Sequence, residues 1–168
     1  MLPDWYQSDA LRSHGQSRPR PPETQTQKEI VMDARANRPL RVVLIEDSAV
    51  LRDMLSSILG GIRTLEIVGT ADSESAALVV LTRVRPDLAI VDLELKAGTG
   101  LGILASLHAA PERFGSPAAV VFSNHSHPAV RARCAALGAA AFFDKSFQMD
   151  ELLGYVDGMA GQGAPLAI

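Results

Sequence analysis

The sequence predicts an α/β protein, a doubly wound (βα)5 unit with a parallel five-stranded sheet and helices on both faces. Three observations predict it. Short apolar runs recur five times from Arg41 onward, each too short for a stable helix. Segments with apolar residues at helical spacing lie between them. The runs alternate with helical crossovers, which makes the strands parallel and covered on both faces. Right-handed crossovers then wind the sheet doubly.

The elements follow in order. "RVVLI" at 41–45 is the first strand. Residues 50, 51, 54, 55, 58 and 59 are the apolar positions of the first helix; Ser48 or Asp47 can cap it, and Gly60-Gly61 can end it. "LEIVGTA" at 65–71 is the second strand. Ala76, Ala77, Val80, Leu81 and Val84 form the stripe of the second helix, and Pro86 stops it. "LAIVD" at 88–92 is the third strand, and "GLGILASLHAA" is a short helix ended by Pro111. "AAVVFS" at 118–123 leads to a helix with Pro128 in its first turn and Gly138 at its exit. "AAFF" at 140–143 is the fifth strand. The last helix carries acids in its first turn and Leu152, Leu153 and Val156 on its inner face.

The chain has 168 residues, enough for one domain of ordinary size. With 47% apolar and 21% charged residues it reads as soluble, and a net charge of −3 points to neither nucleic acid nor a membrane surface. The lone Cys134 excludes an internal disulfide framework and a cysteine-based zinc site. No apolar run approaches the roughly 18 residues of a membrane span, and the N-terminus lacks the core of a secretory signal. A cytoplasmic location follows by default.

Residues 1–38 differ from the rest. They hold "RPRPP" and "ETQTQK", with six basic and five acidic residues that nearly cancel. So little apolar surface cannot offset ordering entropy, and the segment is expected to be a disordered extension. Trp5 and Tyr6 are its only aromatics, and Met32 offers a second possible start. Residues 39–160 form the folded domain, and 161–168 are a short tail.

In open α/β sheets the site lies beyond the carboxyl ends of the strands. There the first strand meets Glu46 and Asp47, the third Asp92, the fourth Ser123 with Asn124 and His125 behind it, and the fifth Asp144-Lys145. Taken singly, each has a plain structural role: a helix start, a loop cap, a backbone bond or a solvated charge. Together they place three carboxylates, a hydroxyl and an ammonium on one edge. Crowded carboxylates raise one another's pKa, and a hard divalent cation removes the conflict. Oxygen-only ligands suit Mg2+. Such a set can stabilise an oxyanion on which negative charge develops.

The motifs "VVLIEDS", "PDLAIVDLELKAGTG", "VVFSNHS" and "GAAAFFDKS", with their spacings, make residues 40–160 resemble the receiver domain of two-component response regulators. The resemblance implies a flavodoxin-like fold and a set of roles. Asp92 is the phosphoacceptor, fed by a histidine kinase or histidine phosphotransfer protein. Asp47, Asp92 and the backbone carbonyl of Glu94 bind Mg2+, and Glu46 acts through a coordinated water. Lys145 and Ser123 contact the phosphoryl group, Ser123 and Phe142 form the switch, and Glu94 and His125 tune the phosphoryl lifetime.

Two departures stand out. Serine replaces the proline usual after the lysine; a cis bond before Ser146 would cost roughly 2.5–4 kcal/mol, so a trans bond is expected. Lys96 replaces the proline often found four residues past the phosphoacceptor, which predicts a looser "LKAGTG".

The function expected is a stand-alone phosphoacceptor switch, not an enzyme beyond its own phosphorylation and dephosphorylation. Its output would be altered binding to a separate, unidentified protein, since no DNA-binding domain fits after residue 160. Candidate surfaces are the first helix, whose apolar residues exceed what a core stripe needs, and the face carrying Arg131, Arg133 and Phe142. Alternatives are a haloacid-dehalogenase-type phosphatase, in which Glu94 stands where an aspartate is wanted, and a phosphorylation-independent adaptor.

Overall fold

In a computed structural model of the chain, residues 38–161 are described. The expectations for the N-terminal extension short of its last residue, including Trp5, Tyr6 and Met32, and for all but the first residue of the tail lie outside them; Arg38, placed in that extension by the sequence, is instead held against the domain. The strands are β1 (Leu40–Ile45), β2 (Leu65–Ala71), β3 (Leu88–Val91), β4 (Ala118–Ser123) and β5 (Ala141–Asp144). The helices are α1 (Ala49–Gly60), α2 (Glu74–Val84), α3 (Gly100–Ala109), α4 (Pro128–Ala136) and α5 (Met149–Gly161). All strand pairs are parallel, in the order β2-β1-β3-β4-β5.

The period of two along each strand decides which helix covers which face. Val43, Ile45, Ala89, Val91, Ala119 and Val121 point to one side, where Ala77 and Leu81 of α2, Ile103 and Leu104 of α3 and Cys134 of α4 pack. Val42, Leu44, Leu88, Ile90, Val120 and Phe122 point to the other, against Leu55 and Leu59 of α1 and Leu152 and Val156 of α5. The central strands are therefore apolar almost throughout, while the edge strands β2 and β5 are only partly buried.

Caps follow the sequence closely. Ser48, one of two candidates, accepts from Leu51 N and starts α1, so Asp47 is not spent on capping. Pro128 opens α4, and Gly138 beyond it has φ +83°. The sequence reading missed a 3-10 turn at Pro111–Phe114, which buries Phe114; four residues are too few to show a period. Before β1, Arg38 makes a two-pronged pair with Asp87, at 2.7 and 2.6 Å, while Arg41 N donates to the same carboxylate. These bonds pin the start of the sheet at the edge opposite the carboxyl ends of the strands.

Candidate functional site

The carboxyl ends of β1, β3, β4 and β5 bring together the residues expected there. Asp92 follows β3 directly, and its N–H donates to Ile45 O. Glu46 follows β1 with its N–H on Ala71 O, and Lys145 follows β5 with its N–H on Ser123 O. The ladder thus continues one residue past each strand and delivers the side chains at one level. Gly100 starts α3 so close to Asp92 that a Cβ would collide with the Asp92 carbonyl.

Glu46 and Asp92 are each 3% exposed, and Ser123 is fully buried. The Lys145 ammonium lies between the carboxylates, 2.6 Å from Asp92 Oδ2 and 2.7 Å from Glu46 Oε2. Asp92 Oδ1 accepts from Glu94 N, and Glu46 Oε1 from Ser48 N. Below them Leu44, Leu55, Ile90 and Phe122 form an apolar floor. Burial pushes the Glu46 carboxyl above the usual glutamate range, although Lys145 and the Ser48 N–H pull it down. Burial also pulls the Lys145 ammonium down, but its bonds to Asp92 and Glu46 outweigh that and hold its pKa above the usual lysine value.

Asp47 is exposed at the rim, and oxygens of Glu46, Asp47 and Asp92 all lie within 4.8 Å of one another. Three carboxylates against one ammonium leave two negative charges, which one divalent cation balances. The donor set is all oxygen and fits Mg2+.

Ser123 Oγ accepts from His125 N at 3.3 Å and so faces its own loop. His125 Nδ1 meets Glu94 Oε2 at 3.0 Å, which joins the two residues expected to tune the site. Phe142 is half-buried on β5, with the Arg131 guanidinium 4.3 Å from its ring centre. Arg131 also donates to Ser126 O, Phe142 O and Gln148 Oε1.

No cis peptide occurs among the described residues, as expected for the bond before Ser146. The segment at Lys96 differs from expectation. In place of looseness, Lys96 N donates to Asp72 O, Glu74 N to Ala97 O, and Thr99 N to Glu74 Oε2 at 2.8 Å. The sequence reading also missed Arg52, which donates to Glu46 O at 2.8 Å. Its position one helical turn past Ser48 was the available signal. Glu74 gave no such signal, since its partner lies 25 residues away.

The sequence matches the response regulator receiver domain family over residues 42–157, and the chain belongs to that family. It is 33% identical over 116 residues, 68% of the chain, to a protein-glutamate methylesterase/protein-glutamine glutaminase of Symbiobacterium thermophilum, and the match covers 31% of that protein. A protein of the same name from Nocardioides sp. is 31% identical over 102 residues, 61% of the chain and 27% of that protein. The chain therefore spans less than a third of the length of these relatives. The signal receiver domain of the response regulator NarL from Mycobacterium tuberculosis superposes with a TM-score of 0.66 at 25% identity, over 73% of this chain and 97% of that one. The response regulator domain of Thermotoga maritima CheB gives 0.66 at 20% identity, over 78% and 100%, a likeness of fold. Among the described residues no helix is long and apolar enough to cross a membrane.

Proposed function

We propose that Asp92 accepts a phosphoryl group from a phosphohistidine on a kinase or phosphotransfer protein, in a Mg2+-dependent reaction, and that the change is read out by protein binding. The observation that carries this is the Lys145 ammonium bonded to both Asp92 and Glu46 beside Asp47. An Asp92 carboxylate oxygen attacks phosphorus in line. The P–O bond of an acyl phosphate forms as the P–N bond breaks, and the departing imidazole keeps the electron pair and is protonated by solvent. Asp47, Asp92 and the Glu94 carbonyl would hold Mg2+, with Glu46 acting through a water. Bound there, the ion would neutralise charge on the phosphoryl oxygens. Lys145 supplies a second positive charge from a nearly dry position, where it is worth most. Little proton transfer is needed, because the task is positioning and charge balance.

Ser123 would leave His125 N for a phosphoryl oxygen, opening space for Phe142 to turn inward. Val50 is 81% exposed, and Met54 and Ile58 each 42%, one stripe on α1 that the core does not use and that suits the histidine-bearing donor. The face around Arg131, Arg133 and Phe142 would meet the downstream protein. We place the reaction in the cytoplasm, with no direct nucleic-acid or membrane partner. The activities in the relatives' names belong to chains more than twice as long and are not proposed for this one.

The phosphatase alternative wants an acid–base group at position 94, but Glu94 directs its carboxylate to His125. The adaptor alternative leaves two buried carboxylates and their ammonium without a task. Incubation with acetyl phosphate and Mg2+ should add the mass of one phosphoryl group to the chain and none to Asp92→Asn. Undiminished labelling of Asp92→Asn, or continuous turnover of a phosphate ester, would overturn the reading.

A further inference from the structure

The segment after Asp92 is held from outside its own sequence. Thr99 is its node. The Thr99 hydroxyl accepts from Gly102 N and caps α3, and Thr99 pairs with Glu94 in an isolated antiparallel bridge. Gly100 N closes the loop on Leu93 O. The Thr99 backbone N–H donates to Glu74 Oε2 at 2.8 Å, on the first residue of α2. Glu74 also grips the loop through its own N–H on Ala97 O, at 2.9 Å.

The space for this carboxylate is made by glycine. A Cβ at Gly98 or at Gly102 would run into the Glu74 side chain, and Gly98 has φ +78°, a conformation other residues adopt at a cost. Two glycines, a half-buried carboxylate and a threonine N–H therefore form one fitted contact. It lies on the same loop as the Glu94 carbonyl, through the Glu94–Thr99 bridge.

We propose that Glu74 is a positioning residue for the phosphorylation site: it clasps the loop from Leu93 to Thr99 and so sets the backbone that follows Asp92. The part of this concerning Mg2+ rests on the reading of the site given above. Glu74 touches neither Asp92 nor the phosphoryl group. It acts through Thr99.

Four variants test the clasp in the full chain: Glu74→Ala, Glu74→Gln, Gly102→Ala, and Gly102→Ala with Glu74→Ala. In the metal-free protein, Glu74→Ala should speed amide exchange at residues 94–99 by about fivefold or more, the factor that one lost hydrogen bond gives. Exchange in the central strands should not change. Mg2+ affinity by calorimetry should fall about tenfold, as for other partners that act through a ligand-bearing group. Glu74→Gln keeps an acceptor oxygen and should restore most of both. Gly102→Ala should mimic Glu74→Ala by displacing the carboxylate, yet add nothing when Glu74 is already alanine.

Unchanged exchange in Glu74→Ala would overturn the proposal, as would additive effects of the two alanines. If no variant bound Mg2+, wild type included, the metal reading would fall while the exchange result still decided the clasp.

Discussion

The β3–α3 loop and the β5–α5 loop both border Asp92, and both carry another residue where proline is usual, but they are stiffened differently. In the β5–α5 loop the backbone N–H bonds of the turn are local, although the Ser146 hydroxyl also reaches Asn124 Oδ1 at 3.2 Å. Ser146 N donates to Asp144 Oδ1 at 2.8 Å, Phe147 N to Asp144 O, and Asp144 N to the Gln148 side chain. In the β3–α3 loop they reach across the chain to Asp72 and Glu74. In each loop the residue replacing proline uses the N–H that proline lacks: Ser146 on Asp144, Lys96 on Asp72. Local bonds form whenever the turn forms. Long-range ones exist only while α2 is docked, so the β3–α3 loop inherits the stability of α2.

The largest effect expected at either loop comes from Lys145, which opens the β5–α5 loop. Lys145→Ala leaves Glu46 and Asp92 buried together without their ammonium, at a cost of about 3–5 kcal/mol in metal-free protein at neutral pH. Urea denaturation would measure it. Lys145 has a raised pKa, so its contribution is complete below the usual lysine value and fades only as pH climbs through the higher folded value. Glu46 is also raised, so its contribution is present below the usual glutamate value and lost as pH rises through the folded one. The gap between variant and wild type should therefore narrow in acid, as Glu46 protonates. A gap independent of pH would separate Lys145 from the carboxylates.

Proline at the two replaced positions compares the loops directly. Ser146 is the third residue of the turn closed by Asp144 O and Phe147 N, where proline is disfavoured. Ser146→Pro also removes the bond to Asp144 and should cost about 1 kcal/mol or more. Lys96→Pro loses the 3.3 Å bond to Asp72 O and an exposed ion pair with Asp72 Oδ2 at 3.7 Å, which is worth little, with Glu74 still in place, and the stiffer unfolded chain offsets part of the loss. Its stability should stay within about 0.5 kcal/mol of wild type. Equal losses would mean that the loops do not differ as described.

The smallest effect is electrostatic. The Ser126 hydroxyl and the Ser146 N–H hold the carboxyl of the partly buried Asp144 below the usual aspartate range. Its contribution is present above the unfolded pKa and lost as pH falls through the lower folded value. Asp144→Asn should lower stability slightly at neutral pH and flatten the profile in that acid window, where variant and wild type converge.

The layout of the fold was legible in the sequence because each element is written in a local code. "RVVLI" and "LAIVD" read as strands covered on both faces, and Pro86, Pro128 and Gly138 mark helix ends where they occur. The residues on the carboxyl edge of the sheet were legible for the same reason. Once the strands are placed, their carboxyl ends are placed, and Glu46, Asp47, Asp92, Ser123 and Lys145 stand there. What the sequence by itself determined was therefore the order of elements and the identity of the charged groups. The tertiary structure alone decided which atoms meet: Lys145 between Glu46 and Asp92, Glu94 against His125, Arg131 over Phe142, Glu74 on Thr99. Those pairs join residues 11 to 99 positions apart on different elements. A period of 2 or 3.6 describes only neighbours on one element, and such contacts depend on how the helices dock on the sheet.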